Sequence, residues 1–592
     1  MKKILILTCI VLSMTSCKKD AKTEAVTMEA SEEFSALLNA YHEESLKLYP
    51  LNATAAGDKR YNYMLPNTLS DEFLKTETAF YKSYKEKVNG LDDKTLSKSQ
   101  KLSKAILNWE CDINLERISF KNYTPLDQMW TLQLSIGQLA SGESSQPFKT
   151  VNDYNNWLKR LDGYLRWMAS AKDNMKEGIE KGNTLPSSLI KKVLPQLKAL
   201  TTTNLEEHLF YAPILKFPES ITEDDKSTLT KSYKAMVLDR IVPAYKDLHA
   251  FMSSEYFDAG RKSSGISDTP NGKNYYAHQI KKYTTTEMTA DEIHELGLKE
   301  VARILAEMEK VKAQVGYEGD LIAFFDNVRN NPDLKPFGSA QEVVDNFKRI
   351  HKTMTPQIEK LFDLKPITPF EVRRTEAFRE ASASAEYNSG SLDGTRPGIF
   401  YVPVPDVTKY NTFSDEALFL HEAIPGHHFQ ISLQQENKNL PEFRKTLGYS
   451  VYSEGWALYT ESLGKELGLY TDPYQYFGML GMEMHRAIRL VVDTGMHTKG
   501  WSREQAIKYS LQNEAESEAS IISEIERYMA NPGQALSYKI GQLKIRELRA
   551  KAETELGENF NIGKFHNQIL ESGAVPLALL ETKITDWINS NK

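Results

Sequence analysis

The chain has 592 residues, of which 41% are hydrophobic and 26% are charged, a composition typical of a globular protein with a large core. Its net charge of −7 and its lack of a basic tract argue against nucleic acid as the main partner. Few stretches have the composition of a linker, so residues 31–592 are predicted to form one domain.

The chain begins with a predicted targeting segment. Lys2 and Lys3 form a basic start, and the apolar run 4–14 is too short to span a bilayer as a stable helix. Residues 1–16 are therefore predicted to be a lipoprotein signal peptide.

Cys17 follows two small residues, Thr15 and Ser16, and this resembles the processing site of a bacterial lipoprotein. We expect Cys17 to carry the lipid and residues 17–30 to form a tether, which anchors a periplasmic or outer-membrane lipoprotein in the cell envelope. Plain secretion with cleavage nearby is the alternative. No later run reaches the roughly 18 apolar residues of a transmembrane helix, so the body is expected to be soluble.

One cysteine remains after this processing. Cys9 is removed with the signal peptide and Cys17 carries the lipid, so Cys111 has no partner for an intrachain disulfide. Its neighbours follow an amphipathic helical pattern, which predicts a buried and unreactive side chain.

Helical periodicity dominates the chain from residue 32 onward. Phe34, Leu37, Leu38 and Tyr41 recur at three- and four-residue steps, which is typical of an amphipathic helix. Strand signals are sparse, so the fold class is predicted to be mainly α. The predicted helical segments are about 71–120, 150–180, 186–210, 225–255, 289–315, 339–362, 414–424, 445–468, 473–498, 503–529 and 533–556.

The clearest strand signal is the segment 398–403, which reads Gly-Ile-Phe-Tyr-Val-Pro. Pro397, Pro403 and Pro405 lack a backbone donor, so we predict an edge strand and not a central one. An edge strand beside a cleft can pair with the backbone of an extended peptide. A small structural hairpin is the alternative.

The segment 419–430 reads Phe-Leu-His-Glu-Ala-Ile-Pro-Gly-His-His-Phe-Gln and places a His-Glu pair after an apolar run. Neutral imidazoles bind zinc, and a glutamate beside them can take a proton from a metal-bound water. These residue types predict a metal hydrolase in which His421 is a ligand and Glu422 is the general base. A helix end with surface histidines is the structural alternative.

The spacing of the histidines excludes a regular helix. His427 lies six residues after His421 and is turned away by about 240°, while His428 lies seven residues after it with a rise of about 10.5 Å. Ligand atoms of one zinc must lie within roughly 4 Å of one another. Pro425 and Gly426 disfavour regular helix, so we predict a break that returns His427 to the side of His421, with His428 as the alternative ligand.

Several separated segments resemble one bacterial family, which is catalogued as domain of unknown function 885. The His-Glu segment looks like the signature of that family, and the resemblance runs in order from about residue 31 to the C-terminus. The other matching segments are 395–401 (TRPGIFY), 452–461 (YSEGWALYTE), 486–497 (RAIRLVVDTGMH) and 526–541 (ERYMANPGQALSYKIG). The family resembles zinc metallopeptidases of the glutamate-zincin type, whose third ligand is a glutamate on the next helix. This implies an elongated multi-helix fold with a cleft and a small β edge-strand element next to the metal helix.

The third ligand is then expected on the predicted helix 445–468. Glu454 matches that position, 27 residues past His427, and would leave one coordination position open for water. Glu461 lies about two turns farther on the same face and could orient a ligand histidine. The swapped assignment, with Glu461 as the ligand, stays open. One Zn²⁺ per chain is expected, although such ligands also accept cobalt or manganese.

A polar stripe follows the predicted helix 473–498. His485, Arg489, Asp493 and His497 recur at four-residue steps and therefore share one face, which suggests the wall of a polar cleft. We expect His497 to take part in catalysis and Asp493 to support the metal ligands from behind.

Substrate-binding and oxyanion-binding groups complete the prediction. Zinc peptidases hold substrate on a strand such as 398–403, so the resemblance assigns Arg396, Gly398 and Tyr401 to substrate binding. Arginines could bind a substrate carboxylate bidentately, with structural ion pairs as the alternative. Tyrosine hydroxyls could donate to the oxyanion that forms when water attacks the scissile carbonyl. The candidate arginines are Arg486, Arg489 and Arg527, and the candidate tyrosines are Tyr528 and Tyr538.

The predicted function is a lipid-anchored zinc peptidase of the cell envelope that hydrolyses short or extended peptides. A non-catalytic binding protein, derived from a degenerate peptidase, is the main alternative, but the complete set of His421, Glu422, His427 and Glu454 disfavours it. Glycoside hydrolysis by paired carboxylates would leave the histidines unexplained. No pattern specifies an oligomeric state.

Overall fold

The computed structural model describes residues 16–142, 144–376, 380, 383–391 and 396–592. The signal-peptide prediction falls on residues 1–16, of which 1–15 lie outside the described residues, and so does the Cys17 side chain. Helix accounts for 68% and strand for 3% of the structure, which confirms the predicted mainly α class. Among the described residues, no helix is both long and apolar enough to cross a membrane.

Fourteen α-helices precede the sheet in the part of the chain that is described, apart from short 3-10 and π-helical turns. They are α1 (Ser16–Leu48), α2 (Pro50–Ala55), α3 (Asp71–Asn89), α4 (Lys98–Ile118), α5 (Leu132–Ala140), α6 (Val151–Lys181), α7 (Ser187–Ala199), α8 (Glu223–Met236), α9 (Val242–Ser253), α10 (Glu255–Asp258), α11 (Gly272–Thr284), α12 (Ala290–Gln314), α13 (Leu321–Asn330) and α14 (Ala340–Leu361). Cys111 on α4 is buried and unpaired, as predicted.

The sheet and the remaining helices follow. The strands are β1 (Phe370–Arg374), β2 (Glu386–Asn388) and β3 (Gly398–Val402), and the helices are α15 (Asp415–Glu422), α16 (His427–Glu436), α17 (Glu442–Lys445), α18 (Ser450–Glu461), α19 (Pro473–Thr498), α20 (Arg503–Asn513), α21 (Glu518–Ala530), α22 (Ser537–Leu556), α23 (Ile562–Leu570) and α24 (Leu577–Asn591).

Capping residues divide two segments that the periodicity predicts as continuous helices. The segment 71–120 is split because Ser97 and Gln100 form a capping box that starts α4. The segment 503–529 is split because the Ser517 side chain accepts a hydrogen bond from a backbone amide in the first turn of α21. Apolar spacing continues across both breaks, and only the caps mark them.

The prediction that segment 398–403 forms an edge strand is wrong. β3 lies in the centre of the three-stranded sheet, parallel to β1 and antiparallel to β2. The paired residues are Gly398–Val402, so Pro397, Pro403 and Pro405 all fall outside the ladder. Every paired residue therefore keeps its backbone donor, and β1 and β2 form the edges.

Helices α18 and α22 cross at two glycines. A Cβ atom on Gly455 would lie 2.5 Å from the Cα atom of Gly541, and one on Gly541 would lie 1.9 Å from the carbonyl oxygen of Val451. Small residues thus let the two backbones touch. This contact fixes the position of Glu454, which precedes Gly455 on α18.

A buried charge network joins α22 to α12 and α19. The ammonium group of Lys539, whose side chain is fully buried, lies 2.6 Å from Glu483 and 3.0 Å from Glu300. Arg303 also pairs with both carboxylates. Burial would raise the pKa of Glu483, but Lys539 and Arg303 lower it to about 2.

We expect Lys539→Met to destabilise the protein by about 3–5 kcal/mol at pH 7, because Glu483 would lose a partner inside the core. Stability from the lowered pKa of Glu483 is present above its unfolded pKa of about 4.3 and is lost as pH falls toward 2. The deficit of the variant should therefore shrink below about pH 4. Urea unfolding at several pH values measures this effect.

Lys544→Met is the matched control, because Lys544 forms more exposed pairs with Glu547 and Glu581. Its cost should stay within about 1 kcal/mol. Equal losses in the two variants would contradict a structural role for the buried network.

Candidate metal centre

At the junction between α15 and α16 the backbone turns back toward the end of α15. α15 ends at Glu422 and α16 begins at His427, so residues 423–426 form the predicted break. A Cβ atom on Gly426 would lie only 1.9 Å from the carbonyl oxygen of His421. Glycine is thus required for the close return of the backbone.

Side chains of α18 stabilise this junction. The indole nitrogen of Trp456 donates to the carbonyl of Pro425 at 2.9 Å. The hydroxyl of Thr460 donates to the carbonyl of Leu420, also at 2.9 Å. Backbone carbonyls that leave the helical pattern therefore find partners on the helix that carries the two candidate glutamates.

Three predicted ligands come together at the junction. The Nε2 atoms of His421 and His427 each lie 3.6 Å from the same carboxylate oxygen of Glu454. The two imidazole rings are nearly perpendicular, with their centroids 4.9 Å apart. One ligand atom from each residue lies within 4.8 Å of the others, and no second cluster of this kind occurs among the described residues.

Glu461 supports His421 from behind, on the side away from Glu454. Its carboxylate accepts a hydrogen bond from Nδ1 of His421 at 2.7 Å, and both side chains are buried. Nε2 of His421 is therefore left to face Glu454. This arrangement favours Glu454 as the metal ligand and Glu461 as the residue that orients His421, and it disfavours the swapped assignment.

The carboxylates and the imidazoles shift each other's proton affinity. Burial would lower the pKa of His421, but its contacts with Glu454 and Glu461 raise it to about 9. Burial would raise the pKa of Glu454, but the two histidines hold it well below its usual range. The cluster thus has an anionic oxygen next to two imidazole nitrogens.

Glu422, the predicted general base, lies half-buried at the end of α15. Burial raises the pKa of its carboxyl group, and the charges of His421, His427 and Arg486 oppose that rise. Within the described part of the chain, its carboxylate accepts no hydrogen bond. It therefore remains free to take a proton.

His428 lies apart from the cluster. Its Nδ1 atom is 2.9 Å from the hydroxyl of Tyr387, and its ring packs against Phe370 with the centroids 5.0 Å apart. Burial lowers its pKa to about 4. Of the two candidates, His427 is therefore the one beside His421, because α16 directs consecutive side chains to different sides.

The strand residues predicted to bind substrate differ in their surroundings. The amide of Gly398 donates to the Pro369 carbonyl at 2.9 Å, and a Cβ atom there would meet the hydroxyl of Tyr387 at 2.3 Å. Tyr401 is paired on both sides, since β3 is central. Tyr401 thus has no free backbone edge for a peptide, whereas Gly398 is paired only with β1 and Arg396 is exposed just before the strand. The substrate-binding role of the three residues stays a prediction.

Two members of the predicted polar stripe are structural. His497 is fully buried, accepts from the amide of Ile266 at 3.0 Å and donates to the carbonyl of Tyr528 at 3.1 Å. Burial lowers its pKa to about 3. Asp493 accepts from the hydroxyl of Tyr276 at 2.5 Å. Neither the catalytic role predicted for His497 nor the supporting role predicted for Asp493 fits these contacts, because α11 and the loop before it cover this end of α19.

Glu524 contacts the other two members of the polar stripe, His485 and Arg489. This residue was not identified from the sequence. One of its oxygens accepts from Arg489 at 3.0 Å, from Arg527 at 3.1 Å and from the hydroxyl of Tyr528 at 2.6 Å. His485 lies 3.5 Å away. The spacing of Glu524, Arg527 and Tyr528 at three and four residues on α21 is the signal that could have identified it.

The hydrogen bonds to Glu524 change the expected roles of Tyr528 and Arg489. The hydroxyl of Tyr528 already donates to Glu524 and accepts from Arg489 at 2.9 Å, so its proton is not free for an oxyanion. Burial also raises the pKa of Tyr528 well above its ordinary value. Arg489 forms an ion pair with the same carboxylate, which agrees with the alternative that these arginines form structural ion pairs.

Arg486 and Tyr538 have fewer partners. Nη1 of Arg486 donates to the carbonyl of Met482 at 3.2 Å, and Arg486 forms no ion pair with any described residue. The guanidinium of Arg489 lies over the ring of Tyr538 at 4.4 Å from its centroid. The hydroxyl of Tyr538 has no hydrogen-bond partner in the described ranges, so it can donate to a bound molecule.

Comparison with solved structures identifies relatives of the same fold. A protein from Colwellia psychrerythraea described as a putative lipoprotein is 28% identical and has a TM-score of 0.85, over 95% of this chain and 99% of that one. A protein from Shewanella oneidensis, described as a putative lipoprotein of unknown function, shares the fold at 18% identity and a TM-score of 0.75, over 93% and 99% of the two chains.

The sequence comparisons give a family without an assigned activity. None of the curated proteins matches this chain. Residues 50–584 match a family described as a bacterial protein of unknown function, and this range includes the His-Glu junction, α18 and the stripe of α19. Because the match covers most of the chain, the protein belongs to the DUF885 family.

Proposed function

We propose that this protein is a zinc-dependent peptidase of the cell envelope that hydrolyses short or extended peptides. The observation that carries the proposal is the convergence of His421, His427 and Glu454, whose ligand atoms lie within 4.8 Å of one another. An unpaired carboxylate, that of Glu422, adjoins this cluster in the chain.

The donor set fits zinc. Catalytic zinc sites commonly use three protein ligands of this kind and keep one position open. Zn–N and Zn–O bonds of about 2.0–2.2 Å place neighbouring ligand atoms roughly 3.4 Å apart, close to the 3.6 Å between Glu454 and each histidine. The hydrogen bond from His421 to Glu461 is the support that metal-bound histidines usually have.

Side chains of the cluster and of α22, which packs on α18, would perform the steps of hydrolysis. A metal held here would polarise the scissile carbonyl and acidify water. Glu422 takes the proton of the attacking water and passes it to the departing amine. The free hydroxyl of Tyr538 donates to the oxyanion that develops on the carbonyl.

A location in the envelope also belongs to this proposal. Two observations support it: the Thr-Ser-Cys sequence at residues 15–17 and the description of both solved relatives as putative lipoproteins. A lipid on Cys17 would tether the domain to a membrane by the short segment 17–30.

We expect the wild-type protein to bind about one zinc per chain, since an open catalytic site uses three protein ligands. His427→Asn should lose this zinc, and His428→Asn should keep it, because only His427 faces Glu454. Metal content of the purified domain, measured after dialysis against zinc, separates the two variants. Retention by His427→Asn, or loss only in His428→Asn, would contradict the ligand assignment.

Glu422→Gln should keep the zinc and lower peptide hydrolysis by at least about 10²–10⁴-fold, because glutamine cannot accept the proton. Turnover of a peptide library and metal content are measured on the same preparation. The control is Glu219→Gln, an exposed glutamate remote in sequence from the cluster, which should behave as wild type. Full activity in Glu422→Gln would remove Glu422 from the mechanism.

A further inference from the structure

The arginines near the centre differ in their access to a carboxylate. Arg489 and Arg527 share the oxygen of Glu524, so each has an ion-pair partner within the protein. Arg486, on the same helix as Arg489, forms no ion pair with the described residues. Its one hydrogen bond joins Nη1 to the carbonyl of Met482.

The unused side of this guanidinium has the geometry of a carboxylate site. Nε of Arg486 is buried and has no hydrogen-bond partner, and among the described residues the guanidinium donates only from Nη1, on its other edge. The Nε and Nη2 atoms of arginine present two parallel N–H donors, which match the two oxygens of a carboxylate. Burying a charged donor without a partner is unfavourable, so an anion bound at this edge would remove that cost.

Arg486 also lies on α19, the helix that packs against α15, which ends at Glu422. The ring of Tyr538 lies 6.0 Å from its guanidinium. Ser537, the neighbour of Tyr538, contacts the hydroxyl of Ser450 at 2.8 Å at the start of α18. Arg486 therefore lies near Tyr538, on the helix that packs against the one ending at Glu422, and Tyr538 follows a residue that contacts the start of α18.

We propose that Arg486 binds the C-terminal carboxylate of the substrate, so that the protein removes residues from the carboxyl end of peptides. This inference rests on the proposed peptidase function and adds the direction of cleavage. An extended residue spans about 3.3–3.6 Å, so a carboxylate anchor one or two such lengths from the general base selects a bond at the end of the peptide. An internal segment of a longer chain would leave the guanidinium covered without a countercharge, which is unfavourable.

The test compares one peptide library prepared with free C-terminal carboxylates and again with C-terminal amides. Wild type should hydrolyse the acids with a kcat/KM about 10- to 100-fold above that of the amides, the value of a charged hydrogen bond. Mass spectrometry should find a C-terminal amino acid or dipeptide as the product. A third library, amidated but ending in aspartate or glutamate, should behave like the neutral amides; if it matches the acids, a side-chain carboxylate is the ligand and the proposal fails.

In Arg486→Gln the preference for free acids over amides should fall to within about 3-fold. Only kcat/KM for the acids should decrease, because the amides have no carboxylate to pair with the guanidinium. Arg166→Gln, a change of an exposed arginine far from α19 in sequence, should keep the wild-type preference. If Arg486→Gln slows acids and amides equally, the arginine acts only on Glu422 and the proposal is overturned.

A binding measurement separates this inference from the proposed function. The thermal unfolding midpoint of Glu422→Gln is recorded with each library, since a ligand of the folded state raises it. The acids should raise the midpoint more than the amides, and the added change Arg486→Gln should abolish the difference. Equal shifts refute the carboxylate site even if peptides are cleaved. If the acids raise the midpoint more than the amides but wild type cleaves no peptide, the carboxylate site is supported and the proposed peptidase function is refuted.

Discussion

The backbone of Gly426 passes against the carbonyl of His421, and the candidate metal centre depends on this contact. Six residues separate His421 from His427, a spacing at which a regular helix directs the two rings to different sides. The chain instead ends one helix and begins another, and the missing side chain of Gly426 lets the ends meet. Polar groups of α18 bond the freed carbonyls. Because α18 also carries Glu454 and Glu461, the helix that stabilises the junction is the one that completes the cluster.

The support behind α18 is correspondingly rigid. Gly455 and Gly541 bring α18 and α22 into backbone contact, so neither helix can slide without a clash. The buried pair of Lys539 and Glu483 then ties α22 to α19. A buried ion pair adds little net stability over an apolar contact, but breaking it is costly, so it disfavours other arrangements of these helices. Tyr538 is next to Lys539 in the chain, and this network therefore also fixes the tyrosine that we assign to the oxyanion.

The arginines of α19 and α21 differ in whether a carboxylate of the protein pairs with them. Arg489, Arg527 and Tyr528 all bond to Glu524, so both arginines have an ion-pair partner within the protein, although Nη1 of Arg489 and Nε of Arg527 are buried without a hydrogen-bond partner. Arg486 forms no ion pair among the described residues, and its buried Nε has no hydrogen-bond partner. Desolvating a charge is expensive unless a counterion replaces water. The same residue type thus serves structure at one position and recognition at another, and the difference is whether a carboxylate of the chain reaches it.

Local chemistry explains what the sequence alone determined. Amphipathic periodicity predicted the helices, and Pro425 with Gly426 predicted the break between the histidines, because both effects act over a few residues. Periodicity also placed Asp493 and His497 on one face, yet it could not show that α11 and the loop before it cover them, since those contacts join residues more than 200 positions apart. The prolines around β3 suggested an edge, but pairing is decided by strands elsewhere in the chain. Tertiary structure alone decided which polar groups are compensated, because burial and counter-charge depend on neighbours that sequence spacing does not specify.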